Sequence, residues 1–262
     1  MPLYFETYGL PSKSGSESVV VFLHGLLGSS KDWAPVLSQL SRHHYCLALD
    51  LPGHGGSKYV KTDSAEHTLQ LILDTLKARG IHNVIFVGYS LGARLAMQLV
   101  VKAEEEHQPC IKGVVLEGGH FGLDSEPEKE ARWANDCLWA ARFEGERIEQ
   151  VLSDWYQQAV FSSLNHAQRQ ILITKRSANL GAYVASMLKA TSLAKQAFLL
   201  PLLRVSRSPI FYVCGSNDKK FQDLVKRSEL SYHVVEKAGH NVHVEQPEVF
   251  SQLLTQFIKQ LD

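Results

Sequence analysis

"VIFVGYSLGARLAMQLVVKAEEE" (84–106) is the stretch on which the reading of this chain turns. Val84-Ile85-Phe86-Val87 is apolar throughout, as a strand buried on both faces should be, and "ARLAMQLVVKAEEE" from Ala93 has the composition of a helix. Between them sits Gly88-Tyr89-Ser90-Leu91-Gly92. Glycine and serine are ordinary loop residues, so these five alone say little. Their setting says more. A tight strand-to-helix turn needs small residues where the backbone crosses itself, and it presents the serine hydroxyl at the strand end. The helix N-terminus behind Ser90 also favours negative charge developing beside it.

The same alternation extends in both directions. "SVVVFLHG" (18–25), "HYCLALDLPG" (44–53), "IKGVVLEGG" (111–119), "SPIFYVCG" (208–215) and "SYHVVEKAGH" (231–240) read as further strands. Helical patterns over 64–79, 91–106 and 246–260 separate several of them. Strands alternating with helices predict an α/β fold with a mainly parallel sheet and helices on both faces. Ligands of such sheets bind outside the carboxyl ends of the strands. The pattern breaks over 122–200, which is helical in character and holds Trp133, Trp139 and Trp155. We therefore expect a core in two parts, 1–121 and 201–262, and an insertion at 122–200. A helical insertion after a strand end commonly covers an active site, although a plain extension of the core fits the pattern too.

A serine hydroxyl is inert at neutral pH without a base, and the base must be held by a third group. "CGSNDKKF" places Asp218 after the 208–215 strand, and "AGHNVH" places His240 after the last. Ser90, Asp218, His240 is the chain order expected of a triad built on this kind of sheet. Asn217 and Asp223 are rivals to Asp218, and each partner alone reads equally well as a loop residue. "FLHGLLGSS" (22–30) resembles an oxyanion loop, in which the amides of Leu26 and Leu91 would face the reacting oxygen. His24 and His54 read as loop-fixing residues. "DLPGHGGS" (50–57) is not a phosphate loop, since neither GxxxxGK[ST] nor GxGxxG is present. His240, His243 and Glu245 lack the HExxH spacing that sets two metal ligands on one helical face, so neither a metal nor any other cofactor is expected.

Composition narrows the partners. The 262 residues carry 27 Lys+Arg and 27 Asp+Glu, a balance without the footprint of a nucleic-acid or anionic-membrane binder. The four cysteines show neither CxxC nor zinc-type spacing. The polar start "MPLYFETYGLPSKSG" carries no secretory pattern, and no apolar run approaches the ~20 residues of a membrane span. A reduced, cytoplasmic protein is expected, monomeric or weakly self-associating.

Together these motifs resemble the α/β-hydrolase superfamily over essentially the whole chain. "DLPGHGGS", "VGYSLGAR", "VLEGGHFGL", "DWYQQAVFSSLN", "KRSANLGA", "MLKATSLAKQ" and "GSNDKKF" in combination narrow the resemblance to the 2-succinyl-6-hydroxy-2,4-cyclohexadiene-1-carboxylate (SHCHC) synthase family of menaquinone biosynthesis. That resemblance implies a lyase that eliminates pyruvate from 2-succinyl-5-enolpyruvyl-6-hydroxy-3-cyclohexene-1-carboxylate. It implies that Ser90 serves in proton abstraction, relaying to His240, with Asp218 fixing the tautomer. Three substrate carboxylates call for planar, bidentate cations; Arg94, one helical turn after Ser90, lies on a face that should reach the site, and Arg132 and Arg176 match the family's carboxylate-binding positions. Tyr89, Trp155 and Tyr156 match pocket positions. Each arginine reads alternatively as a surface charge, and Trp155 and Tyr156 as core of the helical insertion. An esterase, thioesterase or carbon–carbon bond hydrolase would use the same triad, and a non-enzymatic scaffold would tolerate its loss.

Overall fold

In a computed structural model of the chain, residues 2–11, 17–106 and 110–261 are described. Residues 1 and 12–15 of the polar N-terminal stretch lie outside them. Seven strands form one sheet: β1 (Phe5–Tyr8), β2 (Val19–Leu23), β3 (Cys46–Leu49), β4 (Asn83–Tyr89), β5 (Cys110–Glu117), β6 (Ile210–Gly215) and β7 (Ser231–Val235). Their order is β1-β3-β2-β4-β5-β6-β7. Every pairing is parallel except β1 with β3. The expected α/β architecture is therefore present. Five of the strands read from the sequence are shorter than their motifs, β4 extends beyond the Val84–Val87 run at both ends, and the antiparallel edge strand β1 is an addition to them.

The helices are α1 (Ala34–Leu40), α2 (Ala65–Ala78), α3 (Leu91–Glu106), α4 (Glu126–Gly145), α5 (Ile148–Trp155), α6 (His166–Arg176), α7 (Gly181–Ala190), α8 (Leu200–Arg204), α9 (Lys219–Lys226), α10 (Val242–Glu245) and α11 (Pro247–Ile258). Strand residues alternate between two apolar layers, because successive side chains leave a strand on opposite faces. Val21, Leu23, Phe86 and Leu116 pack with residues of α2, α3 and α8. Val20, Phe22, Val87 and Val115 pack with residues of α1 and α11. Both faces are covered, which is why the strands read as continuous apolar runs.

Helices α4 to α8 all lie between β5 and β6. Several share a third apolar cluster, in which Phe143, Val151, Leu152, Leu172, Val184 and Leu188 close over Leu27 of the β2–α1 loop. The helical stretch thus rests on the carboxyl end of the sheet, where Ser90 lies.

Candidate active site

The turn that carries Ser90 is held in a conformation that few side chains adopt. Ser90 has φ 50°, in the left-handed region, and its amide donates to the Glu117 carbonyl at 2.8 Å. The flanking glycines follow from crowding. A Cβ at Gly88 would stand 2.6 Å from the Ala93 nitrogen, and one at Gly92 would overlap the Leu23 carbonyl oxygen. Helix α3 begins at Leu91, so the Leu91 N–H is among those a helix start leaves without an intrahelical partner.

Asp218 follows β6 and His240 follows β7, and both side chains are buried. His240 Nδ1–H donates to Asp218 Oδ2 at 2.7 Å. That bond assigns the proton to Nδ1 and leaves Nε2 free to act as a base. Ser90, Asp218 and His240 line one cavity of about 680 Å³. No Ser90–His240 hydrogen bond occurs among the described residues; such contacts are commonly long before substrate arrives. Asn217 also lines this cavity, but the carboxylate bonded to His240 is that of Asp218.

The loop after β2 is pinned from below by two histidines. Leu51 N–H donates to His24 Nε2 at 3.0 Å, and Leu27 N–H donates to His54 Nε2 at 2.9 Å. Each ring's Nδ1–H donates to a backbone carbonyl, of Gly25 and of Pro52. Burial pushes His24 down to about 4 and His54 to about 3, so both stay neutral and can accept. Leu26 is carried beside Ser90, and the two share the lining of a recess of about 110 Å³ with Leu91.

Arg94 and Arg132 line that recess as well. Burial, reinforced by Arg132, pushes the Arg94 guanidinium down to about 9. It remains charged at pH 7, and its bond to protein is a neutral one, to Gln196 Oε1 at 3.2 Å. Arg132 Nε is held by Asp136, at 2.8 and 2.9 Å, and Asp136 is in turn fixed by the Ser192 hydroxyl at 2.7 Å. Trp155 lines both the recess and the larger cavity.

Arg176 is placed elsewhere. It is buried behind the β2–α1 loop, bonded to Asp32 at 2.7 Å, and it lines a cleft of about 460 Å³ that Ser90 does not reach. Its charge beside Asp32 holds that carboxyl below its usual range, against the opposing effect of burial. Tyr156 shares a small space with Arg176 and Tyr89. The Tyr89 hydroxyl donates to Asn241 Oδ1, and its ring packs 5.2 Å from His240 and 4.8 Å from His243.

Sequence reading missed several residues. Lys220 and Phe221 line both spaces, and His120 lines the recess. A second pair lies beneath the elbow: His243 Nδ1–H donates to the Glu117 carboxylate at 2.8 Å, with both groups buried. His243 and Glu245 are thereby used for packing, since Glu245 accepts the Gly239 N–H at 3.0 Å. Among the described residues no group of three His, Cys, Asp or Glu could hold a metal ion, and no helix is long and apolar enough to cross a membrane.

Comparison with known proteins agrees with this geometry. Residues 20–253 match the profile of the alpha/beta hydrolase family. The chain is 42% identical over 250 residues to a 2-succinyl-6-hydroxy-2,4-cyclohexadiene-1-carboxylate synthase of Yersinia enterocolitica, covering 95% of this chain and 90% of that one. It is also 42% identical over 241 residues to the synthase of the same name from Yersinia pseudotuberculosis, covering 92% and 87%. Among solved structures, MenH from S. aureus superposes with a TM-score of 0.88 at 22% identity, covering 98% of each chain. A thermophilic esterase from Thermogutta terrifontis superposes at 0.79 with 20% identity, covering 99% and 93%. The last two are likenesses of fold.

Proposed function

The chain belongs to the alpha/beta hydrolase family, among the 2-succinyl-6-hydroxy-2,4-cyclohexadiene-1-carboxylate synthases, and from that premise we propose how its residues carry out the lyase reaction of menaquinone biosynthesis. The substrate is a cyclohexene bearing a succinyl ketone, a ring carboxylate and an enolpyruvyl ether. His240 Nε2 takes the Ser90 proton as Ser90 oxygen takes the proton α to the ketone. Asp218 keeps His240 in the required tautomer and stabilises the imidazolium that forms. The electron pair passes onto the ketone oxygen, where the Leu26 and Leu91 amides stabilise the enolate. Its return forms a double bond from the α carbon into the ring, shifts the existing ring double bond by one position and breaks the bond to the ether oxygen; the departing enolpyruvate takes up one proton, matching the one given up to His240, and becomes pyruvate. No water is consumed and no acyl-enzyme is formed.

The observation that carries this reading over ester hydrolysis is the guanidinium pair at the nucleophile. Arg94 and Arg132 line a recess with Ser90, and Arg94 has no carboxylate of its own among the described hydrogen bonds. An enclosed cation without an anion favours an anionic ligand. In this scheme Arg94 and Arg132 bind substrate carboxylates, and Trp155 and Tyr89 shape the space. Arg176 joins them by exchanging Asp32 for a third carboxylate, with Tyr156 beside it. Residues 122–200 act as a lid. The protein works in the cytoplasm as a monomer or weak homo-oligomer, without nucleic acid or bound cofactor; its four free cysteines fit a reducing compartment.

The test is to supply the enolpyruvyl substrate in EDTA and follow pyruvate together with the absorbance of the ring diene. Equal yields of both are expected. Pyruvate without diene, or rapid turnover of p-nitrophenyl butyrate with a trapped acyl-serine, would replace the lyase by a hydrolase.

A further inference from the structure

His120 stands in the loop after β5 and lines the recess with Ser90, Arg94, Arg132 and Lys220. The backbone that presents it is tied down on every side. The Gly119 carbonyl accepts the Tyr212 hydroxyl at 2.8 Å, the His120 carbonyl accepts Gln196 Nε2 at 3.1 Å, and the Phe121 carbonyl accepts the Leu199 N–H at 2.7 Å. Gln196 is the residue whose other amide atom accepts from Arg94, so one short chain of bonds sets His120 and Arg94 relative to each other. Within the ring, Nδ1 accepts the Gly122 N–H at 3.2 Å. A neutral imidazole carries one N–H, so an accepting Nδ1 places the proton on Nε2. Nε2 has no protein partner among the described hydrogen bonds. The recess therefore contains a rigidly held donor with nothing of the protein to donate to.

We infer that His120 is a further substrate-contacting residue, donating its Nε2–H to an oxygen of the anionic substrate seated between Arg94 and Lys220. This rests on the elimination reading given above. The surroundings keep the ring suited to that role. Burial first, then Lys220, Arg94 and Arg132, push His120 down to about 4 against an opposing effect of the Gly122 backbone, so at pH 7 it donates without adding a charge of its own. A neutral donor orients an anion without the desolvation cost of another cation. It cannot replace His240 as the base, because its one lone pair is already engaged by Gly122.

Three proteins and one spectrum test this. Wild type, His120→Phe and His120→Gln are compared in pyruvate release, each checked by circular dichroism and melting. A lost hydrogen bond to a charged group predicts a fall in kcat/KM of about 10- to 100-fold for His120→Phe. Gln, which keeps an N–H donor of similar reach, should recover most of it. In ¹⁵N-histidine-labelled Ser90→Ala protein at pH 7, the His120 ring should be neutral and protonated at Nε2, and that nitrogen should shift when the enolpyruvyl substrate is added. Active wild type with His120→Phe within twofold of it and an unmoved Nε2 signal would overturn the contact and leave the lyase reading intact. Inactive wild type would overturn the lyase reading, and the Nε2 response to the same added compound would still decide the contact. Should His120→Phe misfold, the Gln variant and the spectrum decide.

Discussion

At the scale of single residues, side chains that share one space are proposed to do different chemistry. Ser90→Ala removes the group proposed to take the substrate proton, and Asp218→Asn spoils the proposed tautomer of His240 without changing shape. Each should slow pyruvate release by about 10²–10⁴-fold, a magnitude typical of positioned acid–base groups, with melting temperature little altered. A rate near wild type in either variant would remove the assignment. Arg94→Ala should raise KM more than Arg94→Lys, and lysine should remain impaired because it lacks the planar fork. Equal, unimpaired steady-state constants for both would make Arg94 a bystander. The proposed triad of Ser90, Asp218 and His240 was legible as a candidate in the sequence because its members stand at strand ends in a fixed chain order. Asp32 as the partner of Arg176 was not legible: 144 positions separate them, and only folding brings the guanidinium within 2.7 Å. Nor was His120. It stands in "VLEGGHFGL" after a strand, but that run does not show which ring nitrogen is left over.

At the scale of elements, the site is the meeting of five strand-end turns, those after β2, β4, β5, β6 and β7. The elbow between β4 and α3 depends on Gly92, where any Cβ would overlap the Leu23 carbonyl of β2. Gly92→Ala should therefore shift β2 or α3, lower the urea midpoint and abolish pyruvate release; a native-like midpoint with full activity would show that the crossing has slack. Glu117 ties two turns together. Its carbonyl receives the Ser90 amide, and its carboxylate receives both the amide and the ring of His243, three residues beyond His240. Removing one member of a buried pair typically costs about 3–5 kcal/mol, so Glu117→Ala should be destabilised by that order in chemical denaturation. A loss below about 1 kcal/mol would mean that His243 finds another partner. This buried pair left no trace in the sequence, since a glutamate closing an apolar strand reads as solvated. The edge strand β1 was missed because its four residues pair antiparallel at the rim, with half-buried sides and no continuous apolar run.

At the scale of the whole molecule, the buried histidines make stability depend on pH. In the unfolded chain a histidine takes up a proton near pH 6.5, whereas His24 and His54 do so only at about 4 and about 3. Between those values the unfolded state binds more protons, so stability falls as pH drops from about 6.5 towards 4. Asp32, held low by Arg176, acts in the same direction at the acid end, since protonating it removes the pair. Urea midpoints should accordingly drop between pH 7.5 and pH 5, and His54→Gln, which can still accept the Leu27 N–H, should flatten part of that slope. A midpoint independent of pH would mean the two rings are not held neutral. The two-faced sheet was legible because strands enclosed on both sides must be apolar throughout. How the helices after β5 fold over Leu27 was not, because that packing depends on contacts between distant segments. The whole assembly exists, on this account, to move one hydrogen. The most direct measurement is single-turnover pyruvate release from substrate carrying deuterium at the carbon α to the ketone. A primary isotope effect in wild type, with release lost in Ser90→Ala, is the predicted result. Release at the same rate from labelled and unlabelled substrate, with acyl mass accumulating on Ser90, would contradict it.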